Sequence, residues 1–363
     1  MNSISVILAT YNRAGDLFRL LEAYEAQTTQ EPFEIIVVDD ASSDQTWEVL
    51  KSYQARNFKL RFDRMEQNSG QGPARNRAIP LIDAPLVLFT GDDILPEKSF
   101  LKAHLAAHRI NPDQRIAILG NIRWPNNLPV NSLMSHIDGI GSEQFSFYYL
   151  KDGLEYDFRH LYTSNISIKR SLLWSLDHWF DPDFTLYGFE DAELGYRLSQ
   201  KGLRIRYSAT PVGYHYHYHT VYSFADRQYK SGRMACVLVN KHPELRNLIY
   251  GKGLKFHLLK ARLNSWYTPV SPLEVMRLEN LALRMMSFHE NDTHPLLDSF
   301  YVKMLNYFFY KGIIEGNLNR SLRAARITAS FALPRLNEIL NWYVRTSQRL
   351  EVALPEGFDL SNI

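Results

Sequence analysis

Two adjacent pairs of aspartates stand close behind apolar runs in the first hundred residues. Asp39-Asp40 directly follows one run, and Asp92-Asp93 comes shortly after another. Carboxylate oxygens are the ligands that Mg²⁺ and Mn²⁺ prefer, and such an ion can bridge phosphate oxygens. One such pair is a weak signal, because turns favour aspartate for ordinary reasons. Two pairs in equivalent positions indicate a binding site for a phosphorylated ligand and a divalent ion.

A glycine-containing loop lies between the two aspartate pairs and leads into a predicted short helix. Residues 68–77 have the sequence NSGQGPARNR. Glycine allows the backbone to approach a ligand closely, and Arg75 and Arg77 could contact a diphosphate. The loop is not a Walker loop, because no Gly-Lys-Ser/Thr follows, and it lacks the GxGxxG dinucleotide fingerprint.

These residues must be positioned by alternating strands and helices. Short apolar runs predict strands, and apolar residues at i, i+3, i+4 and i+7 predict a helix. The predicted strands are Ile4–Ala9, Phe33–Val38 and Leu86–Phe89, and the helical residues are Leu17, Leu20, Leu21 and Tyr24, followed by Trp47, Leu50 and Tyr53. The alternation predicts an α/β fold with a mostly parallel sheet that has helices on both faces.

Polar residues lie at the carboxyl ends of all three predicted strands. Thr10-Tyr11-Asn12 ends the first strand, and the two aspartate pairs follow the others. Open α/β sheets bind ligands in the crevice outside these strand ends. We therefore expect the three clusters to form one site.

Three histidines alternate with tyrosines near residue 217. In a strand, His215, His217 and His219 would all point to the same face. Such a face is compatible with a zinc site, yet alternating Tyr and His is also ordinary strand material. A separate zinc centre is the least favoured interpretation, because no cysteine is near.

The basic residues are concentrated in one segment. The formal net charge is only +2, but residues 225–262 contain nine Lys or Arg and two acidic residues. Nucleic acid is not the expected partner, because no recognised binding motif accompanies these cations. The segment fits either contact with an anionic membrane or lipid diphosphate, or a plain solvated helix face.

Composition sets the remaining bounds. A chain of 363 residues that is 45% hydrophobic and 13% aromatic can form a substantial core. One cysteine, Cys236, cannot form an internal disulfide, so we expect a reducing, cytoplasmic setting. This setting is compatible with peripheral contact with the inner face of the membrane. The pattern predicts an α/β domain over 1–223 and a helical region over 224–363. Predicted helices there begin at Ser271-Pro272, cover Leu297–Ile314, and cover Leu322–Leu333 up to Pro334.

Six ordered segments resemble motifs of the family 2 glycosyltransferases. They are Ser5–Arg13, Glu34–Thr46, Gly72–Ile79, Leu88–Pro96, Thr163–Arg170 and Gly188–Leu198. The resemblance covers about residues 3–220, and six motifs in order are far more specific than any one alone. It implies the GT-A fold, a UDP-, GDP- or dTDP-sugar donor, Mn²⁺ or Mg²⁺, and inversion at the anomeric carbon.

The resemblance also implies roles for individual residues. Asp191 would be the general base and Glu190 would bind the acceptor. Asp93 would bind the metal, with His217 and then His215 as further ligands. The implied donor-binding residues are Thr10, Tyr11, Arg13, Asp39, Asp40, Arg75, Asn76 and Asp92, with Tyr11 and Asp40 at the nucleobase and Asp92 near the ribose or sugar.

One residue departs from the family pattern. Gly91 stands where the usual Asp-x-Asp motif has its first aspartate, which leaves fewer anionic ligands for a metal. A non-catalytic subunit that binds a sugar nucleotide or glycan therefore stays an alternative. A nucleotidyltransferase is a weaker alternative, since residues 9–13 lack the required glycine.

The acceptor that the resemblance implies would be a glycan or a lipid-linked glycan of a bacterial surface.

Overall fold

A computed structural model describes residues 2–141, 143–145, 147–251, 254–266, 270–293, 296–318 and 322–349. The described residues form nine strands in one sheet. The strands are β1 (Ile4–Thr10), β2 (Phe33–Asp39), β3 (Lys59–Arg64), β4 (Leu86–Thr90), β5 (Ile94–Pro96), β6 (Ile116–Arg123), β7 (Glu155–Tyr156), β8 (Asn165–Lys169) and β9 (Arg204–His215).

Helices of the described residues fall into two sets. Those in the sheet-containing part are α1 (Ala14–Glu25), α2 (Thr46–Ser52), α3 (Gln71–Ala78), α4 (Phe100–Ile110), α6 (Arg170–Leu173) and α7 (Glu190–Ser199). The others are α5 (Ser132–Asp138), α8 (Val221–Lys241), α9 (Arg246–Tyr250), α10 (Leu254–Asn264), α11 (Pro272–Phe288), α12 (Leu296–Asn317) and α13 (Leu322–Arg349).

Packing divides the chain into two compact units, and neither is continuous in sequence. The first unit contains the described residues up to Pro129, then Phe145–Thr185 and Glu190–His217. The second unit contains Val130–Gln144, Leu186–Phe189 and the described residues from Tyr218 onward. The predicted division into functional regions at residue 223 stays a prediction.

The sheet of the first unit has the order β3-β2-β1-β4-β8-β6-β9-β5, with β7 on β9. Strands β3, β2, β1 and β4 are parallel, as predicted, whereas β8 runs antiparallel to both its neighbours. The sheet is therefore mixed beyond β4. Its predicted α/β class is confirmed, and the three polar clusters follow β1, β2 and β4.

Both faces of the sheet are covered, which explains the continuous apolar runs. In β1, Ile4, Val6 and Leu8 pack into one core with α1 and α4 residues, while Ile7 and Ala9 pack into the opposite core. Strands β1, β2 and β4 are each buried along their whole length. The predicted first helix is confirmed, because its four apolar residues are fully buried in α1.

The second unit is helical, and two of its helices, α8 and α12, pack closely against each other. Helices α8 and α12 cross with glycines face to face, because a Cβ on Gly232 would overlap the Phe309 carbonyl oxygen and one on Gly312 would overlap that of Tyr229. The start of α11 is confirmed, since the Ser271 hydroxyl accepts a hydrogen bond from the Leu273 N–H at 3.3 Å.

The predicted end of the last helix at Pro334 is wrong. Helix α13 continues through Pro334 to Arg349. The apolar side chains of Leu336, Leu340 and Tyr343 lie beyond the proline and are buried in the core of this unit. Tertiary burial therefore outweighs the hydrogen bond that the proline cannot make. Among the described residues, no helix is both long and apolar enough to cross a bilayer.

Candidate active site

The loops that follow β1 and β2 are joined by hydrogen bonds. Asn12 donates its N–H to Ser42 Oγ at 2.9 Å and accepts from the Ser43 N–H at 2.8 Å. Arg13 donates its N–H to Thr46 Oγ1 at 2.9 Å. The two strand ends therefore form one fixed platform.

Left-handed backbone occurs at the same two strand ends. Asn12 has φ 53° and Ala41 has φ 61°. Asparagine tolerates this region, whereas an alanine there costs on the order of 1 kcal/mol. The surrounding hydrogen bonds hold these residues in sharp turns, and Tyr11 beside Asn12 keeps 45% of its surface exposed at the carboxyl end of β1.

Asp39 and Asp40 are buried and engaged with the neighbouring loops. The Asp40 carboxylate accepts the N–H groups of Ser69 and Gly70, both at 2.8 Å. Asp39 Oδ2 lies 3.2 Å from Arg64 Nε. The pair therefore ties the glycine loop to the end of β2, and its contact with a nucleobase stays a prediction.

Arg75 is a buried cation on α3 with unused hydrogen-bonding capacity. Its Nη2 donates to Gln71 Oε1 at 3.0 Å, and its guanidinium lies 5.4 Å from the centre of the Phe180 ring. Within the described part of the chain, its Nε and Nη1 atoms have no hydrogen-bond partner. Burial lowers the pKa of Arg75, and four carboxylates oppose that effect: Glu190, Asp191, Asp92 and Asp93. The Arg75 guanidinium is thus under the electrostatic influence of both acidic pairs.

Two neighbours of Arg75 have structural partners. The Asn76 amide donates to the Phe180 carbonyl at 2.7 Å and accepts from the Phe180 N–H at 2.9 Å. Arg77 is exposed and pairs with Asp63 at 2.7 Å. Asn76 therefore fixes α3 against the Phe180 segment, and a contact of Arg77 with a diphosphate stays a prediction.

Asp93, His215 and His217 form a group that could hold a metal ion. One ligand atom from each lies within 4.8 Å of the others. Both His215 Nε2 and His217 Nδ1 are 3.5 Å from Asp93 Oδ2. Burial acts to raise the pKa of Asp93, but His215, His217 and Arg13 outweigh it and hold that pKa well below its usual range. Asp93 is therefore ionised and suited to bind a cation.

Arg13 supplies a positive charge at the edge of this group. Its Nη2 lies 3.7 Å from Asp93 Oδ2 and 3.3 Å from His217 Nδ1. The chain thus already offsets part of the Asp93 charge with its own guanidinium.

Gly91 leaves room for the Asp93 carboxylate to turn back. A Cβ at residue 91 would lie 2.7 Å from Asp93 Oδ1. The missing first aspartate of the usual motif is therefore coupled to the position that Asp93 adopts. Burial, together with the charge of Asp93, raises the pKa of Asp92.

Glu190 and Asp191 begin helix α7. Asp191 Oδ1 accepts the Ala192 N–H at 2.8 Å. Burial raises the pKa of Asp191 to about 7, and the negative charge of Glu190 adds to this effect. A carboxyl group with a pKa near neutrality is suited to accept a proton from a hydroxyl.

The three histidines near residue 217 do not stay together in the structure. Strand β9 ends at His215, and His217 follows it into the group with Asp93. His219 belongs to the second unit, where its carbonyl accepts from Asn131 Nδ2 at 2.9 Å. The prediction that all three share one strand face is wrong, because the strand ends before the second histidine.

Two residues that position the site have no sequence signal. Trp124 stacks on His215, with ring centres 5.1 Å apart and planes 13° apart. Phe180 contacts both Arg75 and Asn76. Both lie far from their partners in sequence, and neither belongs to a motif with a recognisable chemical role.

Comparison with known proteins shows which family the first half of the chain resembles. Residues 5–177 match the sequence profile of glycosyl transferase family 2. Validoxylamine A glucosyltransferase of Streptomyces hygroscopicus subsp. jinggangensis is 32% identical over 233 residues, which are 58% of this chain and 54% of that protein. Through this segment the chain is similar to glycosyl transferase family 2. It spans 51–64% of the length of the first three curated relatives it matches.

Solved structures agree on the fold. Staphylococcus aureus TarS 1-349 in complex with UDP-GlcNAc superposes with a TM-score of 0.51 at 19% identity, over 95% of this chain and 92% of that one. The mannosyltransferase PcManGT from Pyrobaculum calidifontis, in complex with GDP-Man and Mn²⁺, gives 0.54 at 16% identity over 88% of each chain. At these identities the matches establish a GT-A fold and nothing finer.

Proposed function

We propose that the chain transfers a sugar from a nucleoside-diphosphate sugar to a hydroxyl acceptor with inversion. One observation carries the proposal: Arg75 is buried, and its Nε and Nη1 have no hydrogen-bond partner among the described residues. Both acidic pairs, Asp92-Asp93 and Glu190-Asp191, also act electrostatically on its pKa. A buried cation with unused N–H groups, under the electrostatic influence of a candidate metal ligand and a candidate base, is suited to bind a diphosphate leaving group.

The donor would lie along the fixed platform at the ends of β1 and β2. Exposed Tyr11 can stack on a nucleobase, with Thr10, Asp39 and Asp40 supporting it. Asp92 would contact the ribose or sugar, while Arg13 and Arg75 would face the phosphates. Asn76 would act indirectly by holding α3. Support for a UDP-, GDP- or dTDP-sugar comes from the family and from the UDP-GlcNAc and GDP-Man bound by the two structural neighbours.

A divalent metal fits the group of Asp93, His215 and His217. One carboxylate and two imidazoles are suitable ligands for Mn²⁺, and stacking on Trp124 fixes the His215 ring. Gly91 reduces the number of carboxylates, which favours Mn²⁺ over the harder Mg²⁺. Such an ion would offset charge on the departing diphosphate.

Asp191 would accept the proton of the acceptor hydroxyl during transfer. The hydroxyl oxygen forms a bond to the anomeric carbon as the bond from that carbon to the diphosphate oxygen breaks. The proton passes to the Asp191 carboxylate, and the electron pair leaves on the nucleoside diphosphate. Arg75 can offset the resulting charge with its free N–H groups. Glu190 would bind the acceptor beside Asp191.

The acceptor would be a glycan or a lipid-linked glycan, made on the cytoplasmic side of a bacterial membrane. A non-catalytic subunit that binds sugar nucleotides is the second candidate, and Gly91 is the observation that favours it. The second unit would serve the acceptor or an assembly.

The two candidates are separated by turnover of a donor chosen by thermal shift. We expect UDP-GlcNAc, UDP-glucose or GDP-mannose with Mn²⁺ to raise the melting temperature. The variant Asp191→Asn should keep that shift but lose about 10²- to 10⁴-fold in sugar transfer or hydrolysis, because the base is absent. EDTA should abolish turnover in the wild type.

Asp83→Asn, at an exposed aspartate of the first unit, is the matched control and should keep full turnover. Donor binding without any turnover in the wild type would favour the non-catalytic subunit. Turnover that survives both EDTA and Asp191→Asn would contradict the mechanism.

A further inference from the structure

Helix α10 of the second unit has apolar residues on two faces. Leu254 and Ala261 are buried, and Ala261 packs in a core with Ile327 and Phe331. This face accounts for how the helix is held in place. A second apolar face lies on the opposite side and is not needed for that packing.

The second face consists of large apolar side chains in contact with solvent. Leu259 is 56% exposed, Leu263 59% and Trp266 80%. Leu259 and Leu263 are spaced i and i+4, so they share one side of the helix, and Trp266 follows two residues after the helix ends. Water-exposed apolar clusters of this kind indicate an interaction surface.

Cations are frequent in the stretch of sequence that contains the exposed face. Between Glu244 and Glu274 the sequence contains no acidic residue and five cations: Arg246, Lys252, Lys255, Lys260 and Arg262. Lys260 and Arg262 lie on α10 itself and are exposed. The partner surface must therefore be negatively charged.

A cavity of about 220 Å³ adjoins α10 and has cationic walls. Arg246 and Arg262 line it together with Asn317, while Leu254 and Leu258 form its apolar side. Two guanidinium groups beside an amide are suited to a phosphate group. Arg262 belongs to both the cavity and the helix that carries the exposed face, so an anion and an apolar surface can be bound side by side.

A second copy of the chain is a poor partner for this face. In a two-fold dimer the same patch contacts itself, which would bring Lys260 and Arg262 against their own copies, and α10 carries no acidic residue to offset them. An anionic lipid surface supplies what is missing: phosphates for the arginines and acyl chains for the leucines and the tryptophan.

We propose that α10 docks the chain on an anionic membrane surface. Leu259, Leu263 and Trp266 enter the boundary between headgroups and acyl chains, and Lys260 and Arg262 contact lipid phosphates. Binding is peripheral and reversible, and it does not depend on the transfer reaction proposed above.

The test is flotation of the full chain with lipid vesicles. We expect binding to phosphatidylcholine vesicles that contain about one third phosphatidylglycerol, weak binding to pure phosphatidylcholine, and loss of binding as salt rises. Leu263→Ser combined with Trp266→Ser should weaken binding at least about tenfold. Lys260→Ala and Arg262→Ala should each weaken it about fivefold.

Matched controls use exposed residues elsewhere. Ile110→Ser with Leu154→Ser, and Lys102→Ala, should bind vesicles like the wild type. Unchanged melting temperatures separate loss of docking from loss of fold. In the wild type, bromine-labelled acyl chains should quench tryptophan fluorescence, and Trp266→Phe should remove most of that quenching.

Three results would overturn the proposal. Equal binding to neutral and anionic vesicles would remove the role of the cations. A wild-type dimer that Leu263→Ser with Trp266→Ser converts to a monomer, without vesicle binding, would assign the face to a second copy. Loss of binding in a chain that ends at Arg349 would assign it to residues 350–363, whose sequence carries three acidic residues and no cation.

Discussion

Among individual residues, Asp191 links the electrostatics of the site to its chemistry. The pKa of its carboxyl group is raised to about 7 by burial and by Glu190, while the positive charge of Arg75 acts in the opposite direction. A raised pKa makes the carboxylate a stronger base once it is ionised. The same shift makes ionisation costly, so stability and activity respond to pH in opposite ways.

The pH dependence follows from the sign of this shift. Only ionised Asp191 can accept a proton, so kcat/KM should fall as pH decreases below about 7, approaching tenfold per pH unit. Stability should change the other way. An acid with a raised pKa stabilises the folded state at low pH, and that contribution is lost as pH rises through about 7.

Asp191→Asn provides the control for the stability arm. Because the amide does not ionise, this variant should gain in melting temperature relative to the wild type at pH 8 and lose that advantage at pH 5. A kcat/KM profile that stays flat between pH 5 and 8 would be inconsistent with Asp191 as the base.

Residue types indicate candidate metal ligands more readily than the residues that support them. Asp93, His215 and His217 come together in the structure. Their residue types alone suggest a metal site, because carboxylates and imidazoles bind metals. Trp124 and Phe180 were not found, since a stacking or clamping role depends on a neighbour far away in sequence. Asn76 belongs to one of the segments that resemble family motifs. Its amide, however, hydrogen-bonds the backbone of Phe180, and no local sequence pattern indicates that partner.

At the level of elements, the parallel part of the sheet was predictable and the mixed part was not. Strands β1, β2 and β4 are buried on both faces, which leaves continuous apolar runs in the sequence. Strand β8 pairs antiparallel with β4, and the paired residues Leu88 and Ser167 are 79 positions apart in the sequence. Direction of pairing at such separation depends on the whole fold, as does the continuation of α13 through Pro334.

The crossing of α8 and α12 depends on two glycines. A Cβ at Gly232 would overlap the Phe309 carbonyl, so Gly232→Ala should lower the free energy of unfolding by about 1–3 kcal/mol through overpacking. Helix propensity alone would favour alanine by about 1 kcal/mol, which the overlap outweighs. Chemical denaturation with far-ultraviolet circular dichroism measures the change.

Gly15→Ala in α1 is the matched control, because nothing lies within 4 Å of a Cβ there. Here the propensity gain is unopposed, so the expected change has the opposite sign. If Gly232→Ala also stabilised the protein, the close crossing of α8 and α12 would be disproved.

At the level of the whole molecule, the two units share the chain in an interleaved way. Helix α5 belongs to the second unit, although sheet strands of the first unit precede and follow it in sequence. Its residues Leu133 and Ile137 are fully buried in the core of the second unit. A cut after the first unit therefore removes the partners of a segment that remains.

A chain of residues 1–217 should be prone to aggregate. Leu133 and Ile137 would be left without the helices that bury them, which creates an exposed apolar patch. Size-exclusion chromatography should show soluble aggregates or low recovery. Leu133→Ser with Ile137→Ser in the same truncated chain should restore a monomer, whereas a monodisperse unsubstituted fragment would refute the expectation.

Interleaving also sets an order of events during protein synthesis. His136 of α5 contacts Asp298 of α12 at 2.7 Å, and Ser132 contacts Tyr301 at 2.8 Å, across more than 160 positions of chain. At about 5–20 residues per second, the ribosome needs roughly ten to thirty seconds to supply those partners. During that interval Leu133 and Ile137 leave the ribosome with no native partner yet made. The slower the synthesis, the longer these two side chains stay exposed, so slow translation favours their aggregation or capture by a chaperone before the last helices emerge.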